Sequence, residues 1–177
     1  TLIFTLVITT VMSQKNDTYY NIPEAPKEFT AATVVSRMVD GLGFRYYWAT
    51  DGLRREDLSF KLNNDTRSTA ETIEHIYGLS KFIRNNVLIN DKDENKQELS
   101  FIDKRKQTLM NFKVVADVLR NNNKLFDFES TDVPFWNIIN GPISDALWHC
   151  GQVVLLRRSS GNPFNSKVSV FSGKVRD

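Results

Sequence analysis

The chain has 177 residues, 41% hydrophobic and 25% charged, with 23 basic against 21 acidic side chains and a net charge of +2. That is enough for one globular domain with a real core. The near-balance of charge excludes the concentrated basic surface that a nucleic-acid partner requires, since Arg54-Arg55, Lys104-Arg105-Lys106 and Arg157-Arg158 are scattered and interleaved with acids.

Residues 1–13 are apolar up to Met12 and turn polar at Ser13. The run is shorter than the roughly 20 residues of a bilayer span. It reads as the apolar part of a secretory signal peptide cleaved after Ser13, with a buried strand or helix as the alternative. The basic start of such a leader is missing ahead of Thr1, so the leader reads as truncated, and no cysteine follows for a lipid anchor. The mature chain is then exported, periplasmic or secreted, with no stable membrane span. Residues 14–28, with Pro23 and Pro26, read as an extended lead-in, and residues 29–177 as a single domain.

A first helix is expected from about Phe29 to Asp51, with Thr30 as cap and Ala32, Val35, Met38, Val39, Leu42, Tyr46 and Ala49 on its inner face. Gly41 and Gly43 inside it permit either close packing or a kink. Leu53 to Ser68 is charged and Asn-rich, a connection with at most one helical turn. A second helix runs from about Ser68 to Leu88, opened by Ser68 and Glu71 in the spacing of a capping box. It buries Thr72, Ile73, Ile76, Leu79, Ile83 and Val87, and His75 sits within or beside that apolar arc. A third helix, about Glu98 to Asn121, turns Leu99, Ile102, Leu109, Phe112, Ala116 and Leu119 inward and Lys104, Arg105, Lys106 and Asp117 to solvent.

Leu125 to Trp136 alternates aromatic and acidic residues and reads as a long ordered loop or short extended segment. Gly141-Pro142 then signals the start of a fourth helix, and Ser159, Ser160, Gly161 and Pro163 its stop. This helix is apolar on nearly every side, through Ile143, Ala146, Leu147, Val153, Val154 and Leu156, the pattern of a helix buried in a bundle. Asn162 to Asp177 reads as an extended tail. The expected fold is an all-α four-helix bundle with long connections and a short extended C-terminal tail. A homodimer through a helix face is compatible with it. The glycosylation sequons at Asn16 and Asn64 are short enough to arise by chance and carry no argument.

The chain has two histidines, His75 and His149, and Asp145 lies one turn before the second, on the same face. Two imidazoles and a carboxylate facing each other across a bundle form a three-ligand set with open positions, suited to zinc, nickel or iron. An open position on such an ion activates water as a nucleophile. Glu71, one turn before His75, is a candidate base or supporting partner, and Gln152, three residues after His149, a candidate for orienting a ligand. The competing reading is structural, with His149 paired to Asp145 and His75 a satisfied boundary residue. Cys150 points about 100° away from His149 and reads as a small buried hydrophobe.

The stretches E-T-I-E-H-I at 71–76, L-R-R-E-D-L at 53–58 and D-A-L-W-H-C-G-Q-V-V-L-L-R-R-S-S-G-N-P at 145–163 resemble the DinB/YfiT-like family of four-helix bundles. The resemblance covers roughly residues 29–163 and is most specific in the last helix. It implies a divalent-metal site of one histidine on the second helix and an H-x3-H pair on the fourth. His75 and His149 match, while Asp145 stands where the pattern has histidine, which favours harder ions such as iron or manganese or marks a lost site. It also implies a metal-dependent hydrolase or thiol S-transferase acting on an unidentified small molecule. The alternative is a non-catalytic helical binding module that has lost the metal chemistry.

Overall fold

A computed structural model of the chain describes residues 18–93, 97–122 and 125–176. The apolar stretch 1–13 and the start of the lead-in lie outside the described residues. The described chain is predominantly helical: α1 (Ala31–Thr50), α2 (Arg55–Ser59), α3 (Thr69–Val87), α4 (Phe101–Asn121), α5 (Phe135–Ile138), a π-helical segment (Ile139–Ile143) and α6 (Ser144–Ser159), followed by a two-stranded hairpin of β1 (Val168–Ser169) and β2 (Lys174–Val175). Among the described residues no helix is long and apolar enough to cross a membrane.

The helix starts are local and follow their expected chemistry. Thr30 and Thr33 cap α1 reciprocally, each hydroxyl accepting the other's backbone N–H, at 3.2 and 2.8 Å. Ser68 and Glu71 do the same at α3, with Glu71 N–H to Ser68 Oγ at 3.2 Å and Ser68 N–H to Glu71 Oε2 at 2.7 Å. Each pair satisfies donors that a helix start leaves without a partner.

The long helices α1, α4, α3 and α6 pack in a ring in that order. Thus α1 and α3 face each other diagonally, and so do α4 and α6. The segments 51–68 and 122–134 carry the chain across these diagonals. The core between the helices is built from Val39, Leu42 and Tyr46 of α1, Ile73, Ile76 and Ile83 of α3, Phe112 and Leu119 of α4, and Ala146 and Val153 of α6. The expected inner faces need three corrections. Met38 and Leu147 are exposed, and Ile102 lies 74% exposed in the first turn of α4, where Phe101 packs against the core instead.

The last helix also departs from expectation at its start. Gly141-Pro142 does not open it. Helical backbone runs unbroken from Phe135 to Ser159, opened by Pro134, and Pro142 lies inside the π-helical segment. Proline has no N–H to donate, and its ring crowds the carbonyl four residues back. The backbone accommodates it by widening one turn. Nor is α6 buried all round: Trp148 is 73% and Leu155 53% exposed, so only the stripe Ala146, Cys150, Val153 and Leu156 faces the core.

The ends of the chain fold back on the helices. Tyr19, at φ 69°, is buried with its hydroxyl donating to Asp40 Oδ1 at 3.1 Å. Its ring lies across Gly43 so closely that a Cβ there would overlap it. Gly43 is therefore a packing glycine. Asp40 is buried, pairs with Arg120 of α4, and has its carboxyl raised above its ordinary pKa by burial. The C-terminal tail is a hairpin rather than an extended strip. Val168 and Val175 pack against the core while Phe171 is exposed at its tip, and Gly173 accepts the Ile22 N–H at 2.9 Å.

Arg157, grouped in the sequence with surface charges, is 2% exposed. Its guanidinium donates to the carbonyls of Trp48, Ala49 and Asp51 at 3.0, 3.1 and 2.9 Å and to that of Asn162 at 2.7 Å. The first three are carbonyls at the end of α1, which lack intrahelical partners and carry the negative end of the helix dipole. Asp57, whose side chain is fully buried, sits beside this knot. It accepts from Arg54 Nε and Nη2 at 2.9 and 2.8 Å, from Ser160 Oγ at 2.6 Å and from Asn162 Nδ2 at 2.6 Å. The Arg54 hydrogen bonds, with those of Ser160 and Asn162, hold the Asp57 carboxyl well below the usual carboxylate range.

Because that pKa is depressed on folding, Asp57 stabilises the fold above the unfolded carboxylate pKa of about 4 and ceases to do so as pH falls. Asp57→Asn is expected to lower urea-unfolding stability at pH 7 by about 1.5–3 kcal/mol, with the gap to wild type closing as acid protonates the wild-type carboxylate. An equal gap at pH 7 and at pH 2–3 would contradict this account. Arg157→Met removes the donors to the Trp48, Ala49 and Asp51 carbonyls and is expected to cost about 3 kcal/mol or more in the same assay.

Candidate metal centre

The structure brings His75, Asp145 and His149 together. His75 is on α3 and the other two on α6, and α3 and α6 are neighbours in the ring. One ligand atom from each side chain falls in a group within 4.8 Å. Asp145 spans the pair: Oδ2 lies 3.1 Å from His75 Nε2, and Oδ1 lies 3.3 Å from His149 Nε2. The two rings meet edge to face, with centroids 4.6 Å apart. The group lies at the rim of the interface between the two helices, with side chains 34%, 39% and 12% exposed for His75, Asp145 and His149. The carboxylate–imidazole pair of the last helix is thus not deeply buried, and His75 stands beside it as the expected third member.

Gln152 lies beside His149, as its spacing suggested. His149 Nδ1 lies 2.8 Å from Gln152 Oε1. An amide oxygen only accepts, so this contact favours the neutral tautomer with its proton on Nδ1. In that tautomer Nε2 is a bare lone pair facing a carboxylate oxygen. Two acceptors so close call for a proton or a cation between them. This donor chemistry fits a divalent ion: ligand atoms about 2 Å from an ion sit roughly 3–4 Å from one another, so the three groups need move little to share one.

Glu71 does not join the cluster. It is exposed, and its carboxylate is taken up by the N-terminus of α3. The Ser68 backbone N–H and hydroxyl lower its pKa. It serves as a cap, not as the base its distance from His75 in sequence suggested. Cys150 is buried and its thiol is pushed up to about 12 by desolvation, so it packs as a hydrophobe.

Two hollows flank the centre. On the His149 side a cleft of about 390 Å3 is walled by Leu62, Leu155 and Leu156, with Arg67 and Gln152 among its polar residues. On the His75 side a more open hollow of about 460 Å3 is bounded by Glu74, Leu79, Phe82 and Pro142. Leu62 and Arg67 come from the connection between α2 and α3, where no sequence spacing marks them; only the diagonal crossing carries that segment to the mouth of the site.

Comparison of the chain with protein-family models, with curated proteins and with solved structures finds no match.

The Gln152 contact has a spectroscopic consequence. In long-range 1H–15N spectra of the metal-free protein, His149 is expected as the Nδ1–H form when neutral, and Gln152→Leu is expected to shift it towards the Nε2–H form facing Asp145. A wild-type ring already in the Nε2–H form would refute the arrangement.

Proposed function

We propose that this chain is an exported four-helix-bundle protein of the DinB/YfiT-like type that binds a divalent metal ion through His75, Asp145 and His149 and uses it in hydrolysis. The observation that carries the reading is the convergence of these three donors, with Gln152 placed to favour the His149 tautomer whose Nε2 can ligate. The stretches resembling that family support it, as does the ring packing of the four long helices.

The bound ion would supply Lewis-acid polarisation of an acyl or phosphoryl oxygen. The chain's own residues do the rest. Gln152 fixes the plane of the His149 ring, the role of a group behind a metal ligand. Asp145 contributes a hard anionic oxygen, which favours iron or manganese over the softer choices of zinc or nickel. The leucine walls of the cleft exclude water around the substrate body, strengthening electrostatic interactions inside it. Hydrolysis is preferred to thiol transfer because export removes the chain from the compartment where small thiols abound.

A second reading has its own support. Asp145 contacts both imidazoles directly, so the trio can also form a closed hydrogen-bonded network in a binding module without metal chemistry. Metal analysis separates the two. Protein purified without a metal-affinity tag is expected to carry or rebind one divalent ion per chain. At about a hundred times Kd the ion adds roughly 2.7 kcal/mol of stability, a rise in Tm of about 5–10 °C for a domain of this size. His75→Ala and His149→Ala are each expected to abolish the rise, and Gln152→Leu to weaken affinity about 10–100-fold. No copurifying or rebinding metal, with His149→Ala unchanged in Tm beside every ion tried, would leave the binding module as the function.

A further inference from the structure

The two hollows beside the centre differ in charge. The cleft next to His149 has no acidic side chain in its wall, whereas the hollow next to His75 contains Glu74. In the first, the donors left without a partner among the described residues belong to Arg67 and Gln152. Among the described residues, Arg67 makes no ion pair and no hydrogen bond. Glu71, which feels Arg67 and Lys61 as neighbouring positive charges, spends its carboxylate on the α3 cap. Gln152 uses its oxygen on His149, and its amide nitrogen has no partner among the described residues. The hydroxyls of Thr66 and Thr72 already donate to the carbonyls of Asn63 and Ser68. The remaining wall is leucine: Leu62, Leu155 and Leu156.

An exposed guanidinium at the mouth and a half-buried amide N–H2 beside a mostly apolar cleft of about 390 Å3 define a ligand by complementarity. The volume is at the small end for ligand sites, and a few placed polar groups in an apolar wall set orientation. We infer that the His149 cleft is the substrate site and takes a small amphipathic anion, a compound with one carboxylate-like acid group on Arg67 and an apolar body against Leu62, Leu155 and Leu156. Arginine suits the role because its planar fork meets a carboxylate through two parallel hydrogen bonds. The inference rests on the reading of His75, Asp145 and His149 as the reactive centre for its functional meaning. The binding it asserts does not require a metal.

The full chain, stripped of metal with a chelator, is titrated calorimetrically with sodium octanoate, 1-octanol and octyltrimethylammonium. Octanoate is expected to bind saturably at one site, with the alcohol and the cation at least tenfold weaker. Arg67→Gln is expected to weaken octanoate at least tenfold at unchanged Tm, Arg67→Lys to restore part of the loss, and Leu155→Asp to weaken octanoate further still. Octanoate that fails to bind, binds Arg67→Gln as well as wild type, or binds no better than the cation would overturn the inference. The metal reading fails separately. If His149→Ala and wild type both bind octanoate but neither takes up zinc or manganese, the anion site stands and the metal centre falls.

Discussion

The buried guanidinium of Arg157 is the contact on which the arrangement of the helices most depends. A charge at 2% exposure is tolerable only with full compensation, and here that comes largely from backbone carbonyls at the end of α1. Desolvation lowers the pKa of Arg157, with Asp57 and Asp51 opposing it. The interaction is reciprocal: α1 needs donors at its end, and Arg157 needs acceptors. It fixes the last turn of α6 against the last turn of α1. Asp145 and His149 sit on that same helix, so their height relative to α3 follows from where the lock holds α6.

The turn after α6 completes the lock. Gly161, at φ 82°, lets the chain reverse, with Asn162 N–H returning to the Arg157 carbonyl at 2.8 Å and Gly161 N–H to that of Arg158 at 3.1 Å. This closes the helix end in the two-bond pattern that a left-handed residue permits, and it delivers Ser160 and Asn162 to Asp57. The segments L-R-R-E-D-L at 53–58 and R-R-S-S-G-N-P at 157–163 therefore meet each other in space. They dock helices, while the same last helix also carries Asp145 and His149 of the metal-site candidate. Docking and candidate chemistry thus sit on different residues of one helix.

What could be read from the sequence was what depends on neighbours a few residues away. Thr30, Ser68 and Glu71 announced their helix starts because caps are local. Asp145, His149 and Gln152 announced their shared face because a helix repeats every 3.6 residues. His75 was legible as a partner only through its angle on α3. The illegible features are those decided by distant chain. Arg157 read as a surface charge because nothing nearby reveals three carbonyls more than a hundred residues away. Leu147 read as core because hydrophobicity alone does not say which side of a helix has a neighbour. Pro142 read as a helix start because it commonly is one; only the structure shows Pro134 taking that place and a widened turn absorbing the second proline.

The diagonal placement of consecutive helices also bears on how the chain reaches its native state. Of the ring contacts, only that of α3 with α4 joins long helices that follow one another in sequence. The His75–Asp145 contact closes 70 residues, and the Arg157 contacts with the end of α1 close 106 to 109. Loop-closure entropy must be met before such contacts give any return, so a helical protein wired this way folds more slowly than one whose neighbours in space are neighbours in sequence. The α3–α4 pair can form early on local terms. The centre shared by α3 and α6 comes into being only when the last long helix arrives, so a chain that has not finished folding has no assembled site to expose.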